Sequence, residues 1–257
     1  LTHPKGGFIW DHCRRAGISY RTYGEFADDY KPNIEALKDH FCPYYTSWDT
    51  RVKDTTRVRQ WRRDFDSLVA IDHLPQFNSL RLINDHTEGL RLGAPTPFAQ
   101  VADNDLALGL FIEHLSKSPV WKSSAVFVLE DDAQNGADHV DAHRSIAFVV
   151  SPYTRRHFVD HTLYSTNSLL RTRELIIGIP PMSQHDAAAT PMWRCFTSVP
   201  DFTPWQALPS NVDLEEKNTA VNELSRRSAT FDLTAEDKVP DIEFNQMLWK
   251  AIKGIDS

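Results

Sequence analysis

The chain has 257 residues, of which 41% are hydrophobic and 25% are charged. These proportions are typical of a globular protein and suffice for one large hydrophobic core or two small ones. The net charge of −7 provides no basic surface that would favour nucleic acid or an anionic membrane. No apolar stretch reaches the roughly 18–20 residues that a membrane span requires.

The cysteines and the two ends of the chain carry limited information. Cys13, Cys42 and Cys195 cannot all pair with one another, and no C-x-x-C spacing is present. A zinc ribbon or a disulfide framework is therefore not indicated. The chain begins at Leu1 without a signal-peptide pattern and ends at Ser257 without a natural finish, so we expect a fragment or a processed product.

The first predicted elements form an α/β unit. Apolar residues at helical spacing predict a helix at residues 9–16, which Gly17 ends, and a looser alternation predicts a strand at residues 18–23. Residues 28–60 are irregular and polar, and we interpret them as a surface excursion that borders a substrate. A helix is predicted at residues 57–71, whose arginines we interpret as a solvated face.

The middle of the chain predicts two buried strands joined by a helix. The strands are residues 79–83 and 126–129, and the amphipathic helix between them is residues 98–116. This order is that of the right-handed parallel crossover unit. A further short apolar run predicts a strand at residues 146–150.

The C-terminal third of the chain changes in composition. A helix is predicted at residues 165–177, and the sequence then becomes Pro-rich with little periodicity until a short terminal helix at residues 244–252. We therefore divide the chain into a core region, residues 1–182, and an extension, residues 183–257, that wraps the core.

Acidic and imidazole side chains are concentrated between the strands predicted at residues 126–129 and 146–150. Five carboxylates and two imidazoles occur within fourteen residues: Glu130, Asp131, Asp132, Asp138, His139, Asp141 and His143. Sites in open parallel sheets form at the carboxyl ends of strands, and adjacent carboxylates repel unless a proton or a cation neutralises them. Carboxylate oxygen with imidazole nitrogen suits Zn, Mn or Fe better than Ca alone. A solvated acidic loop is the alternative interpretation.

A second carboxylate–imidazole pair follows the strand predicted at residues 79–83. Asp85 and His86 lie there, within the sequence NDHTEG. Two strand ends of this kind are what a dinuclear metal site requires, so we expect the two groups to converge. His157 and His161 also have i, i+4 spacing, but no strand precedes them and we expect them at the surface.

Several segments of the chain together resemble one enzyme family. They are GGFIW at 6–10, YRTYGEF at 20–26, NDHT at 84–87, residues 128–144, SPY at 151–153 and residues 186–191. These segments are similar to the phosphoesterase branch of the alkaline phosphatase superfamily. The resemblance implies a three-layer α/β sandwich with a mostly parallel central sheet, of which residues 1–182 would be the C-terminal part. It also implies a bacterial protein of the periplasm or the exterior, with a β-propeller or another domain upstream.

The resemblance implies a site with two divalent metal ions, which would be Zn, Mn or Fe, or else Ca. The implied ligands are Asp85, His86, Asp131, Asp132 and His143, with His139 as the alternative to His143. The residues implied to orient the imidazoles are Glu130, Asp138 and Asp141. Arg144 would contact the substrate or form an ion pair. The Ser or Thr nucleophile of the family has no counterpart from Leu1 onwards, so we expect it upstream.

The activity that the resemblance implies is hydrolysis of a phosphomonoester or phosphodiester by two-metal phosphoryl transfer. The substrate would be a phosphorylated small molecule or a phospholipid, and the chain alone would be inactive. The sequence lacks the C-x-P-x-R motif of sulfatases, the G-x-S-x-G elbow of serine hydrolases and the P-loop. The alternative interpretation is a non-catalytic metal-binding module at the cell surface.

Overall fold

The computed structural model describes residues 3–130, 143–236 and 238–254, which form a mixed α/β fold. In these residues the helices and strands are, in chain order, α1 (Ile9–Ala16), β1 (Tyr20–Tyr23), α2 (Asp54–Ala70), β2 (Phe77–Leu80), α3 (Pro97–Ser116), β3 (Val126–Leu129), β4 (Ala147–Val150), α4 (Thr166–Ile177), α5 (Gln184–Ala188), α6 (Glu223–Ser228) and α7 (Asp241–Lys253). Within this part of the chain, no helix is both long and apolar enough to cross a membrane.

Strands β1 and β2 form a parallel pair. Tyr20 lies opposite Phe77, and Tyr23 lies opposite Leu80. The connection between the two strands contains α2, so β1, α2 and β2 make a β-α-β unit of the kind that parallel pairing requires. Because the strands are parallel, both carboxyl ends lie at one edge, where the NDHTEG segment begins.

Strands β3 and β4 form a separate, antiparallel pair. Val126 lies opposite Val150, and Leu129 lies opposite Ala147. The parallel crossover expected between the second and third strands is therefore absent from the described residues, where β2 and β3 belong to different sheets. Since each described sheet has two strands, a mostly parallel central sheet is not confirmed, although the α/β class is.

The two sheets share one hydrophobic core. Its buried centre includes Trp61 and Phe65 of α2, whose ring centroids are 4.7 Å apart. The half-buried side chains that pack on this centre come from both sheets and include Leu80, Leu82, Val126 and Val150. The core thus holds the carboxyl end of β2 against the β3–β4 pair.

Several element boundaries differ from the prediction. The second strand is Phe77–Leu80 rather than residues 79–83, so residues 81–83 already belong to the loop that carries the candidate ligands. Helix α2 begins at Asp54, three residues before the predicted start. The third strand has the predicted bounds, and Trp121 lies ahead of it in a short 3₁₀ turn.

Candidate functional site

The turn that follows β2 separates buried from exposed side chains. Residues Asn84–His86 form one turn of 3₁₀ helix. Ile83 and Asn84 are buried, whereas Asp85 and His86 are exposed. Thr87 then takes a positive φ of 56°, which reverses the chain. The turn therefore exposes a carboxylate and an imidazole, from consecutive residues, at the carboxyl edge of the parallel pair.

A fully buried carboxylate fixes the backbone of this turn. Asp54, the first residue of α2, accepts the backbone N–H of Ile83 at 3.1 Å and that of Asn84 at 2.8 Å. Asn104 of α3 donates to the same carboxylate at 3.0 Å. The start of α2 is thereby tied to the turn, because two amides that no strand pairs are satisfied by one side chain.

Arg57 is the cation that balances Asp54. Its Nη1 lies 2.9 Å from Asp54 Oδ1, and both side chains are fully buried. The guanidinium also donates to four backbone carbonyls, those of Thr46, Ser47, Asp49 and Val52. The prediction that the arginines of this helix form a solvated face is wrong for Arg57, because its donors are used to hold the preceding loop.

Aromatic and charged side chains surround His86 at the edge of the sheet. The His86 ring meets the Trp48 ring edge-on at a centroid distance of 4.9 Å. The Arg81 guanidinium lies over the same indole, 5.6 Å from its centroid. Arg81 is ion-paired with Glu236 and lies 3.8 Å from Glu25. Imidazole, indole and guanidinium thus converge on one small surface.

Glu88 is a buried carboxylate two residues beyond His86. Its backbone N–H donates to Gln100 Oε1 at 2.7 Å, which ties the loop to α3. Burial raises the pKa of Glu88, and the nearby Arg91 opposes that rise. Its carboxylate lies 3.9 Å from Arg91 Nη1. The loop therefore has a charged interior as well as the exposed pair at its start.

Comparison with known families assigns the region that contains this site. Residues 5–180 match the model of the Phosphoesterase family. The chain belongs to the Phosphoesterase family. The match includes both strand pairs and the Asp85–His86 turn, and it ends before α5. No curated protein matches the chain significantly. Family membership indicates a hydrolase that acts on phosphoric esters.

The second predicted group of candidate ligands is described only at its ends. Glu130 follows β3, and its backbone N–H donates to Ile146 O at 3.3 Å. His143 and Arg144 are exposed at the same end of the β3–β4 pair. The other predicted ligands and orienting residues of this group lie outside the described residues: Asp131, Asp132, Asp138, His139 and Asp141.

The described part of the phosphoesterase region holds two of the expected donors together. Asp85 and His86 are adjacent and exposed, and carboxylate oxygen with imidazole nitrogen is a donor set that divalent cations accept. Among the residues that the structure describes, no group of three or more His, Cys, Asp or Glu side chains could hold a metal ion. His157 and His161 are exposed, as predicted.

Three residues that surround the turn were not predicted as part of the site. The burial of Asp54 and Arg57 could have been predicted from the sequence, because they share helical spacing with Trp61 and so lie on the buried side of α2. Trp48 was predicted only as part of a surface excursion. Its contact with His86 joins segments 38 residues apart, and no local pattern encodes that contact.

Proposed function

We propose that the chain takes part in the hydrolysis of phosphoric esters, with the help of a divalent metal ion held by Asp85 and His86. The observation that carries this proposal is the exposed carboxylate–imidazole pair at the carboxyl edge of a parallel strand pair, on a turn fixed by buried Asp54. The Phosphoesterase family match over residues 5–180 supports the reaction class.

The further ligands in this proposal come from the segment after β3. They would be Asp131, Asp132 and His143, with His139 as the alternative, and Glu130, Asp138 and Asp141 would orient the imidazoles. Two ions of Zn, Mn or Fe are the occupants that this donor set favours. The resemblance to the alkaline phosphatase superfamily supports two ions, a three-layer sheet and a Ser or Thr nucleophile outside these 257 residues. It also supports export from a bacterial cell.

The residues of the chain have separable tasks in the proposed reaction. A bound divalent ion supplies charge neutralisation for the phosphoryl group and lowers the pKa of the attacking group. Asp85 and His86 would hold that ion. Trp48 covers one side of the His86 ring and limits its rotation and its access to water. Arg81, whose charge is balanced by Glu236 and Glu25, packs over the Trp48 ring and helps to hold that ring in place.

Metal binding and hydrolysis together test the proposal. Calorimetric titration of Mn²⁺ or Zn²⁺ into metal-stripped protein should show binding that Asp85→Asn and His86→Ala each weaken by about 100-fold. When the same substitutions are made in the natural full-length protein, its hydrolysis of p-nitrophenyl phosphate and of bis-p-nitrophenyl phosphate should fall. His157→Ala, which removes another exposed histidine, is the matched control and should change neither quantity.

Two results would contradict the proposal. Unchanged metal affinity in both Asp85→Asn and His86→Ala would remove these residues from the metal site. Metal binding that depends on them, with no turnover of any ester in the natural full-length protein, would favour the alternative of a non-catalytic metal-binding module.

A further inference from the structure

The loop that carries Asp85 and His86 contacts a part of the chain that lies beyond the family match. We define the site loop as residues 84–96 and the clamp as residues 216–236. The family match ends at residue 180, so the clamp belongs wholly to the extension. On its inner side the site loop is held by Asp54 and Gln100 from the matched region. On its other side it is held by the clamp.

Asn218 makes the densest set of contacts between the clamp and the site loop. Its side-chain amide donates to the carbonyls of Gly89, Arg91 and Pro95 at 3.0, 3.2 and 3.2 Å. Its backbone N–H donates to Ala94 O, and its own carbonyl accepts the N–H of Gly93, both at 2.9 Å. One asparagine therefore contacts four carbonyls of the site loop, and three of them share the two hydrogens of its side-chain amide.

Ser228 makes a second contact closer to the ligand turn. Its fully buried hydroxyl accepts the N–H of Leu90 at 2.9 Å and donates to Glu88 O at 3.3 Å. Gly89 lies between these two residues with a φ of 63°, and a Cβ added there would lie 2.7 Å from Ser228 Oγ. The glycine thus allows the clamp to approach the site loop more closely than another residue would permit.

The clamp also reaches the side chains next to His86. Leu233 O accepts the indole N–H of Trp48 at 2.9 Å, and that indole is the ring that contacts His86. Glu236 is ion-paired with Arg81, which lies over the same indole. The orientation of the ring beside the candidate ligand is therefore set in part by the extension.

We propose that the extension positions the Asp85–His86 turn, and that Asn218 and Ser228 are its principal positioning residues. This proposal rests on the proposed function, since Asp85 and His86 are the candidate metal ligands. The physical reason is that the ligand turn runs directly into the stretch of loop that the extension contacts. Thr87, between the two, has a positive φ of 56°, which a β-branched residue keeps only when surrounding contacts impose it.

Amide hydrogen exchange tests the positioning without reference to activity. In Asn218→Ala and in Ser228→Ala, the amides of residues 86–94 should exchange about 10-fold faster or more, because their acceptors or neighbours are lost. Amides of β3 should be unchanged. Asn211→Ala, which alters an exposed asparagine of the same extension, is the matched control and should leave the site loop unaffected. Thermal melting of each variant establishes that it is folded.

Steady-state kinetics separate positioning from a merely structural role. If the natural protein hydrolyses p-nitrophenyl phosphate, both variants should lose about 10-fold or more in kcat with KM changed less than about 2-fold, since misplaced reacting groups affect the transition state most. Unchanged exchange in folded Asn218→Ala and Ser228→Ala would overturn the positioning proposal, as would faster exchange with an unaltered kcat. Absence of turnover in the natural protein would refute the proposed function, and exchange alone would then decide the positioning.

Discussion

At the scale of single residues, the largest energetic effect belongs to Asp54. Its carboxylate balances Arg57 and accepts two backbone amides of the ligand turn, and both partners of the ion pair are fully buried. Asp54→Ala leaves a buried guanidinium without its counter-charge and should lower the free energy of unfolding by about 3–5 kcal/mol. Urea unfolding followed by circular dichroism measures this loss.

The control for Asp54 is another aspartate of a neighbouring helix. Asp105 of α3 is exposed, and Asp105→Ala should change the free energy of unfolding by no more than about 0.5 kcal/mol. A loss below about 1 kcal/mol in Asp54→Ala would mean that water replaces the carboxylate at little cost. The assigned role of Asp54 would then be wrong.

A second residue-scale feature is a buried pair of carboxyl groups between α4 and α5. Glu174 and Asp186 both accept the backbone N–H of Met182, at 3.3 and 2.6 Å, and neither side chain is more than 1% exposed. Burial, together with the adjacent Asp186, raises the pKa of Glu174 to about 7, although Arg171 opposes the rise. Burial opposes the ionised form of Asp186 as well, but hydrogen bonds from Ser183 and Glu174 lower its pKa.

These two pKa shifts predict a defined pH dependence of stability. A carboxyl group with a raised pKa in the folded state binds its proton more tightly there than when unfolded. The contribution of Glu174 is therefore complete below its ordinary pKa of 4.5 and is lost as the pH rises through about 7. Asp186 also stabilises the folded state, but with the opposite pH dependence. Because its pKa is lowered, its contribution is lost only as the pH falls below its ordinary value of 3.8.

The measurement for this pair is the free energy of unfolding at pH 5 and at pH 8. The wild-type protein should lose on the order of 2 kcal/mol across this interval through Glu174, and Glu174→Gln should lack that part of the slope. His12 and Arg171 also lie near the pair and are retained in both proteins. Identical slopes in the two proteins would refute the raised pKa of Glu174.

At the scale of elements, α2 separates what local patterns predict from what they do not. Its apolar residues predicted a helix, and the helix is present. The burial of its charged residues was not predicted, because their partners lie elsewhere in the chain. Arg57 donates hydrogen bonds to backbone carbonyls of residues 46–52. Asp64 accepts hydrogen bonds from the side chains of Arg21 and Tyr23 of β1. Charge alone is thus a poor guide to which face of a helix is solvated.

The strands make the same point about pairing. A loose alternation predicted a strand at residues 18–23, where β1 begins at Tyr20, and a short apolar run predicted β3 with its observed bounds. The direction of pairing was not encoded in these local patterns. β1 and β2, which are joined through α2, are parallel, whereas β3 and β4 are antiparallel.

Gly89 provides an element-scale test of the contact between the site loop and the extension. An added Cβ would lie 2.7 Å from Ser228 Oγ and 2.8 Å from Phe244 Cε2, and φ is 63°. Gly93, in the same loop, has a φ of 80° with no atom within 4 Å of an added Cβ. Gly93→Ala should therefore lower the free energy of unfolding by about 1–2 kcal/mol, which is the cost of a positive φ in a residue with a Cβ. Gly89→Ala should lower it by about 1–3 kcal/mol more, because the added methyl group also overpacks the contact.

Urea unfolding of both glycine variants measures the difference. The comparison isolates packing, because both residues have positive φ and lie within five residues of each other. Equal losses would show that the extension yields to the added methyl group without cost. In that case the close approach of Ser228 would contribute nothing to the rigidity of the loop.

At the scale of the whole molecule, the site was predictable to the extent that it follows local rules. Asp85 and His86 lie at a carboxyl edge, as expected from a short apolar strand followed by a carboxylate and an imidazole. The contacts that orient them were not predictable, because Trp48 bonds to Leu233 and Leu90 bonds to Ser228 across more than 130 positions of the chain. The Pro-rich extension has no periodicity that would reveal those partners.

The backbone pairing of Asn218 with Ala94 has a consequence for inheritance. Asn218 also bonds to the carbonyls of Gly89, Arg91 and Pro95. A substitution in the site loop therefore affects its contact with the extension, although the family match ends between the two, at residue 180. Among relatives that retain the extension, substitutions at these positions should arise in concert. Any relative without the extension should need other donors for the same carbonyls.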